Sequence, residues 1–216
     1  MSAAALLDPP EVVDGASFAA RLGASDAVVA DLERLLALLS DWNARINLVS
    51  AASLGDFWPR HVFDSAQLLG LAPAARTWVD IGAGAGFPGL VLAILLKDTP
   101  GARVHLVESQ AKRCRFLVEA VETLALPAEV HNARAEDLSL KVDVVTARAV
   151  APLGRLLAFA QPYLAKGAVG LFLKSEAVEA EIADARKAWR FTCDVSPSFS
   201  DPRGRVLKLE GLARAR

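Results

Sequence analysis

Cysteine is scarce: the chain has two, Cys114 and Cys193, far apart and without a C-x-x-C pair or a histidine at ligand spacing. That excludes a disulfide scaffold and a cysteine-based metal centre; reduced thiols in a cytoplasmic protein, with no metal, are the expectation. Long hydrophobic runs are missing too. The longest, around residues 90–96, falls far short of the roughly 20 residues that cross a bilayer. The opening MSAAALLDPP lacks the basic start and long apolar stretch of a secretory leader, so no membrane partner is expected. Repeats and low-complexity tracts are absent. A strong charge of either sign is absent as well, the net charge being −1. The halves differ, however: residues 1–100 hold six Lys and Arg against eleven Asp and Glu, and residues 101–216 hold eighteen against fourteen. A basic face therefore remains open to the second half.

What is present is a chain of 216 residues, 53% hydrophobic and 23% charged, enough for one good-sized globular domain with a small appendage. DAVVADLERLLALL over residues 26–39 carries apolar residues at helical spacing behind Ser25 or Asp26 as N-cap, and Asp56–Gly70 has the same texture. Residues 1–72 thus read as a helical N-terminal extension. From residue 73 to 216, short strand-like runs (TWVDI, ARVHLVE, AEVHNA, VDVVTA, AVGLFLK) alternate with helical ones, the signature of parallel βαβ units with helices on both faces. FTCDVSPS and GRVLKLEGL at the end read as an edge hairpin.

Between the first strand and the first helix of that alternation stands VDIGAGAGFPG, residues 79–89. Glycines there let a ligand approach the backbone, whether that ligand is a dinucleotide or S-adenosylmethionine. Asp80, two residues before Gly82, separates the two: a carboxylate would repel a pyrophosphate and attract the cationic methionine end of the methyl donor. Its competing reading is a helix-capping carboxylate. Gly82, Gly84 and Gly86 complete D-x-G-x-G-x-G, with Pro88 in the first turn of the helix, and Glu108 ends the second strand, where a carboxylate can accept both ribose hydroxyls.

After the fourth strand the chain reads Thr146-Ala147-Arg148-Ala149. Methylation of an exocyclic amine calls for an acceptor group in an N-P-P-Y-like turn, and methylation of a pyrimidine carbon calls for a cysteine nucleophile. Arg148 offers only donors, which suits guanine O6 and N7; its alternative is an ion pair with Asp64 or Glu136. Candidate RNA contacts on a basic rim are Arg60, His61, Lys112, Arg113, Arg115, Arg134 and Lys174. His105 and His131, inside strands, read as packed side chains.

These elements, with NLVS at 47–50, RHVFDS at 60–65, DIGAGAGFPG, ESQAKRCRFL from Glu108, Ala135-Glu136, TARAVAPL from Thr146 and LFLKSE from Leu171, resemble in order and spacing the bacterial small-subunit (16S) ribosomal RNA guanine-N7 methyltransferases, the glucose-inhibited division protein B family. The resemblance covers about residues 40–180. It implies a class I S-adenosylmethionine-dependent methyltransferase fold, Rossmann-like, acting on one guanine of small-subunit ribosomal RNA. It places donor contacts at Gly82, Phe87, Ala135, Glu136 and Arg148, with Glu108 at the ribose, and the ribosomal RNA or subunit as partner of a monomer. Ala83, Glu108 and Ser175 stand where the family usually has a hydroxyl residue, an aspartate and a glycine. Two other readings stay open from the residues alone, an NAD(P)-dependent oxidoreductase using Gly84–Gly89 and a non-catalytic RNA-binding assembly factor.

Overall fold

The computed structural model describes residues 12–215, so the expectation attached to MSAAALLDPP lies outside the described residues. Helix α1 (Gly15–Leu22) starts on a reciprocal cap between Asp14 and Ser17 and stops at Gly23 in the left-handed region. Of the two cap candidates for α2 (Asp26–Ile46), Ser25 is the one used, its side chain accepting from the Val28 N–H. Leu32, Leu35 and Leu39 of α2 are fully buried at the three- and four-residue spacing that makes one helical stripe. The Asp56–Gly70 region is helical but not uniform. A short α3 (Ala51–Gly55) leads into a π-helical stretch, Phe57–Phe63, before α4 (Asp64–Leu71). Pro59 lies inside that stretch and has no N–H to donate to an α-helical ladder.

Strands β1 (Thr77–Ile81), β2 (Arg103–Glu108), β3 (Ala128–Asn132), β4 (Val144–Arg148) and β5 (Val169–Lys174) pair in parallel. Helices α5 (Gly89–Leu95), α6 (Ala111–Thr123), α7 (Leu153–Leu164) and α8 (Val178–Ala185) occur between and after them. The final pair, β6 (Trp189–Pro197) and β7 (Arg205–Arg214), forms the expected antiparallel hairpin. Its second strand, β7, pairs with β5 and leaves β6 outermost, in the order β3-β2-β1-β4-β5-β7-β6.

Period-two alternation sends strand side chains into two cores, one on each face. Trp78, Leu106 and Leu171 meet Phe18, Leu35, Val91 and Phe116, so the N-terminal helices share a core with α5 and α6. Val79, Ile81, Val145 and Phe172 meet Leu156, Leu157 and Trp189 on the other face. Chain order reverses at β1, which has β2 on one side and β4 on the other. In such sheets a ligand crevice opens outside the carboxyl ends of the strands at that reversal.

Candidate active site

Gly82, Gly84 and Gly86 all have positive φ, at 69°, 57° and 87°, yet each is glycine for a different reason. A Cβ on Gly82 would stand 2.7 Å from Val150 Cγ2, and one on Gly86 would drive into Leu90. A Cβ on Gly84 would meet only the Gly82 carbonyl oxygen, 3.7 Å away. Gly82 and Gly86 are therefore fixed by packing, whereas Gly84 faces open room.

Two carboxylates hold this loop. Glu108, 4% exposed, accepts from the Gly84 N–H at 3.0 Å and from the Gln110 N–H at 2.7 Å, so its acceptors sit beside the open room. Asp80, 1% exposed, accepts from the Gly89 N–H at 3.0 Å and from the Thr146 hydroxyl at 3.1 Å. Its carboxylate thus serves the start of α5, the helix-capping role that was the competing reading of this residue. Burial pushes its pKa up to about 7, against the opposing effect of those two hydrogen bonds. The same geometry bears on the dinucleotide reading. A pyrophosphate needs the free N–H groups of a helix N-terminus, and here the chain's own carboxylate occupies that end.

Arg148, at the end of β4, is bound by the π-helical stretch. Nη1 donates to the Arg60 carbonyl at 2.7 Å, Nη2 donates to His61 Nδ1 at 2.6 Å, and Asp64 Oδ2 lies 3.8 Å from Nη1. The ion pair with Asp64, the alternative reading of Arg148, is therefore present; Glu136 pairs instead with Arg134 at 3.7 Å. The Arg148 guanidinium carbon also stands 5.2 Å from the centre of the Phe87 ring, which stacks on His61 at 4.3 Å. An arginine can only donate, so His61 Nδ1 must be the acceptor, and its proton is on Nε2, donated to Ser53 Oγ at 2.7 Å. Burial first, then the charge of Arg148, hold the His61 pKa down to about 3.

Two residues therefore leave the expected RNA rim. His61 is 3% exposed and is a wall of the site. Lys174 is consumed internally, 2.6 Å from Glu181 and donating to the Ala151 carbonyl. Arg60, Lys112, Arg115 and Arg134 are exposed; Arg113 is half-buried and reaches toward Glu108 at 3.8 Å. Ala135 is buried in a 3-10 turn, Ala135–Asp137, its carbonyl accepting from the Tyr163 hydroxyl.

Sequence reasoning missed the support behind Arg148. Asp64 Oδ1 accepts from Gln67, Ser198 and Ser200 at 2.8, 2.6 and 2.8 Å, tying α4 to the loop between β6 and β7. The four-residue spacing from Arg60 to Asp64 hinted that both share a helix face, but nothing in the sequence paired Asp64 with serines more than 130 positions away.

A family model described as rRNA small subunit methyltransferase G matches residues 28–202. The ribosomal RNA small subunit methyltransferase G of Caulobacter vibrioides (strain NA1000 / CB15N) is 57% identical over 210 residues, 97% of each chain. That of Parvibaculum lavamentivorans is 47% identical over 207 residues, 94% of this chain and 92% of the relative. Among solved structures, cofactor-bound Rv0187 from MTB superposes with a TM-score of 0.60 at 20% identity, covering 94% of this chain and 99% of that one. The O-methyltransferase from Bacillus cereus in complex with SAH gives 0.59 at 16% identity, covering 91% and 96%. At those identities the likeness is one of fold.

Proposed function

The chain belongs to the rRNA small subunit methyltransferase G family, and from that premise we propose that it transfers the methyl group of S-adenosylmethionine to N7 of a guanine in small-subunit ribosomal RNA. The observation that carries the choice of atom is Arg148, a donor-only side chain fixed at the crevice by Arg60, His61 and Asp64. S-adenosylmethionine supplies an electrophilic methyl on a sulfonium, and guanine N7 offers an in-plane lone pair, so no proton has to be removed. A site without a base is what such a reaction needs. His61 is turned away from base catalysis by giving its lone pair to Arg148, and Asp80 is sealed under α5.

In this reading Gly84 leaves room for the donor, and Glu108 exchanges its Gly84 partner for the ribose hydroxyls. Phe87, Ala135 and Glu136 line the remainder, and Arg148 orients the base through O6 while N7 stays free. Cys114 is no rival nucleophile, since its thiol is buried and burial pushes its pKa up. Arg60, Lys112, Arg115 and Arg134 meet RNA phosphates. The chain works as a cytoplasmic monomer, its helices α1 to α4 serving as an extension to the methyltransferase domain.

Incubating the protein with purified small subunits and radiolabelled donor, then cleaving the RNA at N7-methylguanine, tests the whole reading. One labelled guanine is expected. Label on another base atom would overturn the choice of N7, and no label together with calorimetric binding of the donor would favour an assembly factor.

A further inference from the structure

The edge of the sheet holds a group of side chains unrelated to the crevice. In the parallel register of β2 and β3, His105 lies opposite Glu129 and Val107 opposite His131. Alternation puts His105, Glu129 and His131 on one face, and β3 is the outermost strand there. His105 Nδ1 is 3.0 Å from His131 Nε2. The Glu129 carboxylate comes within 3.8 Å of the first and 3.9 Å of the second.

We propose that His105, Glu129 and His131 bind one divalent ion of the zinc class. Around a tetrahedral ion with bonds of about 2.0–2.1 Å, ligand atoms stand roughly 3.3–3.4 Å apart. The two rings stand a little inside that value, one ligand atom from each of the three residues lies within 4.8 Å of the other two, and the Glu129 side chain, 49% exposed, has room to turn inward to close the longer gaps. Two imidazole nitrogens and one carboxylate oxygen select zinc, cobalt, nickel or copper over the hard magnesium and calcium ions. Arg103 already holds Glu129 Oε2 at 2.9 Å, which leaves Oε1 to the ion and orients the carboxylate from behind. Its positive charge also weakens the site relative to a purely anionic one.

Without metal the 3.0 Å contact requires one ring to donate its N–H to the other. On binding, that proton leaves the ligating nitrogen, and the other nitrogen of the same ring takes one from water, so two neutral rings bind with no net proton release. The fourth position is left to water. The ion would pin the outermost strand to its neighbour just before the chain turns into Arg134–Asp137, and so steady that turn without taking part in the reaction.

Cobalt titration of protein freed of any polyhistidine tag, followed by visible absorption and displacement with zinc, tests the site. One equivalent, a tetrahedral cobalt spectrum and a zinc-dependent rise in Tm are expected. His131→Gln and His105→Asn should each weaken binding by about tenfold or more, with Glu129→Gln in the same direction. If His105→Asn does not fold, the two more exposed positions still decide. A featureless titration, or a spectrum and Tm shift unchanged in His131→Gln, overturns the proposal.

Discussion

Neighbouring glycines of one loop make separable demands, and substitution distinguishes them. Gly84→Ala meets open space, so its cost to the fold is that of one left-handed alanine, about 1–2 kcal/mol. Donor affinity measured by calorimetry should fall much further, while Gly86→Ala, which overlaps Leu90, should lower Tm first. For Arg148 the expected outcome of replacement by alanine is a loss of methyl transfer of about 100-fold or more. Stability should fall by only about 1–3 kcal/mol, because Asp64 keeps three other donors. Lysine should not rescue, since it cannot reach the Arg60 carbonyl and His61 with a rigid fork. A variant that unfolds readily while keeping its turnover would leave Arg148 a purely structural ion pair. His61 gives the pH prediction. Its folded pKa, about 3, lies below the unfolded value near 6.5, so the unfolded chain binds the extra proton between the two. Stability is then complete above about 6.5 and falls by about 1.4 kcal/mol per pH unit toward 3. Across that window the difference in stability between wild type and His61→Asn, measured by denaturation, should carry this slope. Asp80 acts in the opposite sense, its raised pKa making stability fall as pH rises from about 4 toward 7, and it is common to both proteins.

At the level of elements, the strands and helices from residue 73 onward were legible because each is a short apolar run or a helical stripe bounded by turn residues. The π-helical stretch was not, since Phe57–Phe63 has the same apolar texture as an α-helix and only its hydrogen-bond ladder differs. Of the candidate site, the glycine loop, Glu108 and Arg148 could be read from their places at strand ends. Asp64 could be read as a candidate partner of Arg148, but the support behind it could not, because Ser198 and Ser200 reach Asp64 from a distant loop that only the folded chain brings there. Helix α6 sharpens the expectation for RNA. Lys112 and Arg115 are exposed and Arg113 leans toward Glu108. Neutralising Lys112 and Arg115 together should therefore reduce the slope of log affinity against log salt by roughly 0.7–0.9 for each phosphate that is no longer neutralised. Donor binding should not change. Measurement at two salt concentrations decides, and an unaltered slope would move the RNA footprint to Arg60 and Arg134.

For the whole molecule, the described N-terminal helices are bound into the core of the sheet domain rather than hung beside it. Phe18, Leu32, Leu35 and Leu39 are fully buried in the same cluster as Val91, Leu106 and Phe116. A chain beginning at residue 73 should thus expose that face, and circular dichroism with a dye for exposed apolar surface should find a partly ordered, dye-binding state instead of a cooperative fold. The other end of the chain matters differently. Ser198 and Ser200, between β6 and β7, hold the carboxylate behind Arg148, and β7 joins the sheet only after β6 and its loop have been made. During synthesis the glycine loop and Arg148 emerge well before their last support. Until that loop has joined them, the carboxylate behind Arg148 lacks two of the three side chains that donate to its Oδ1.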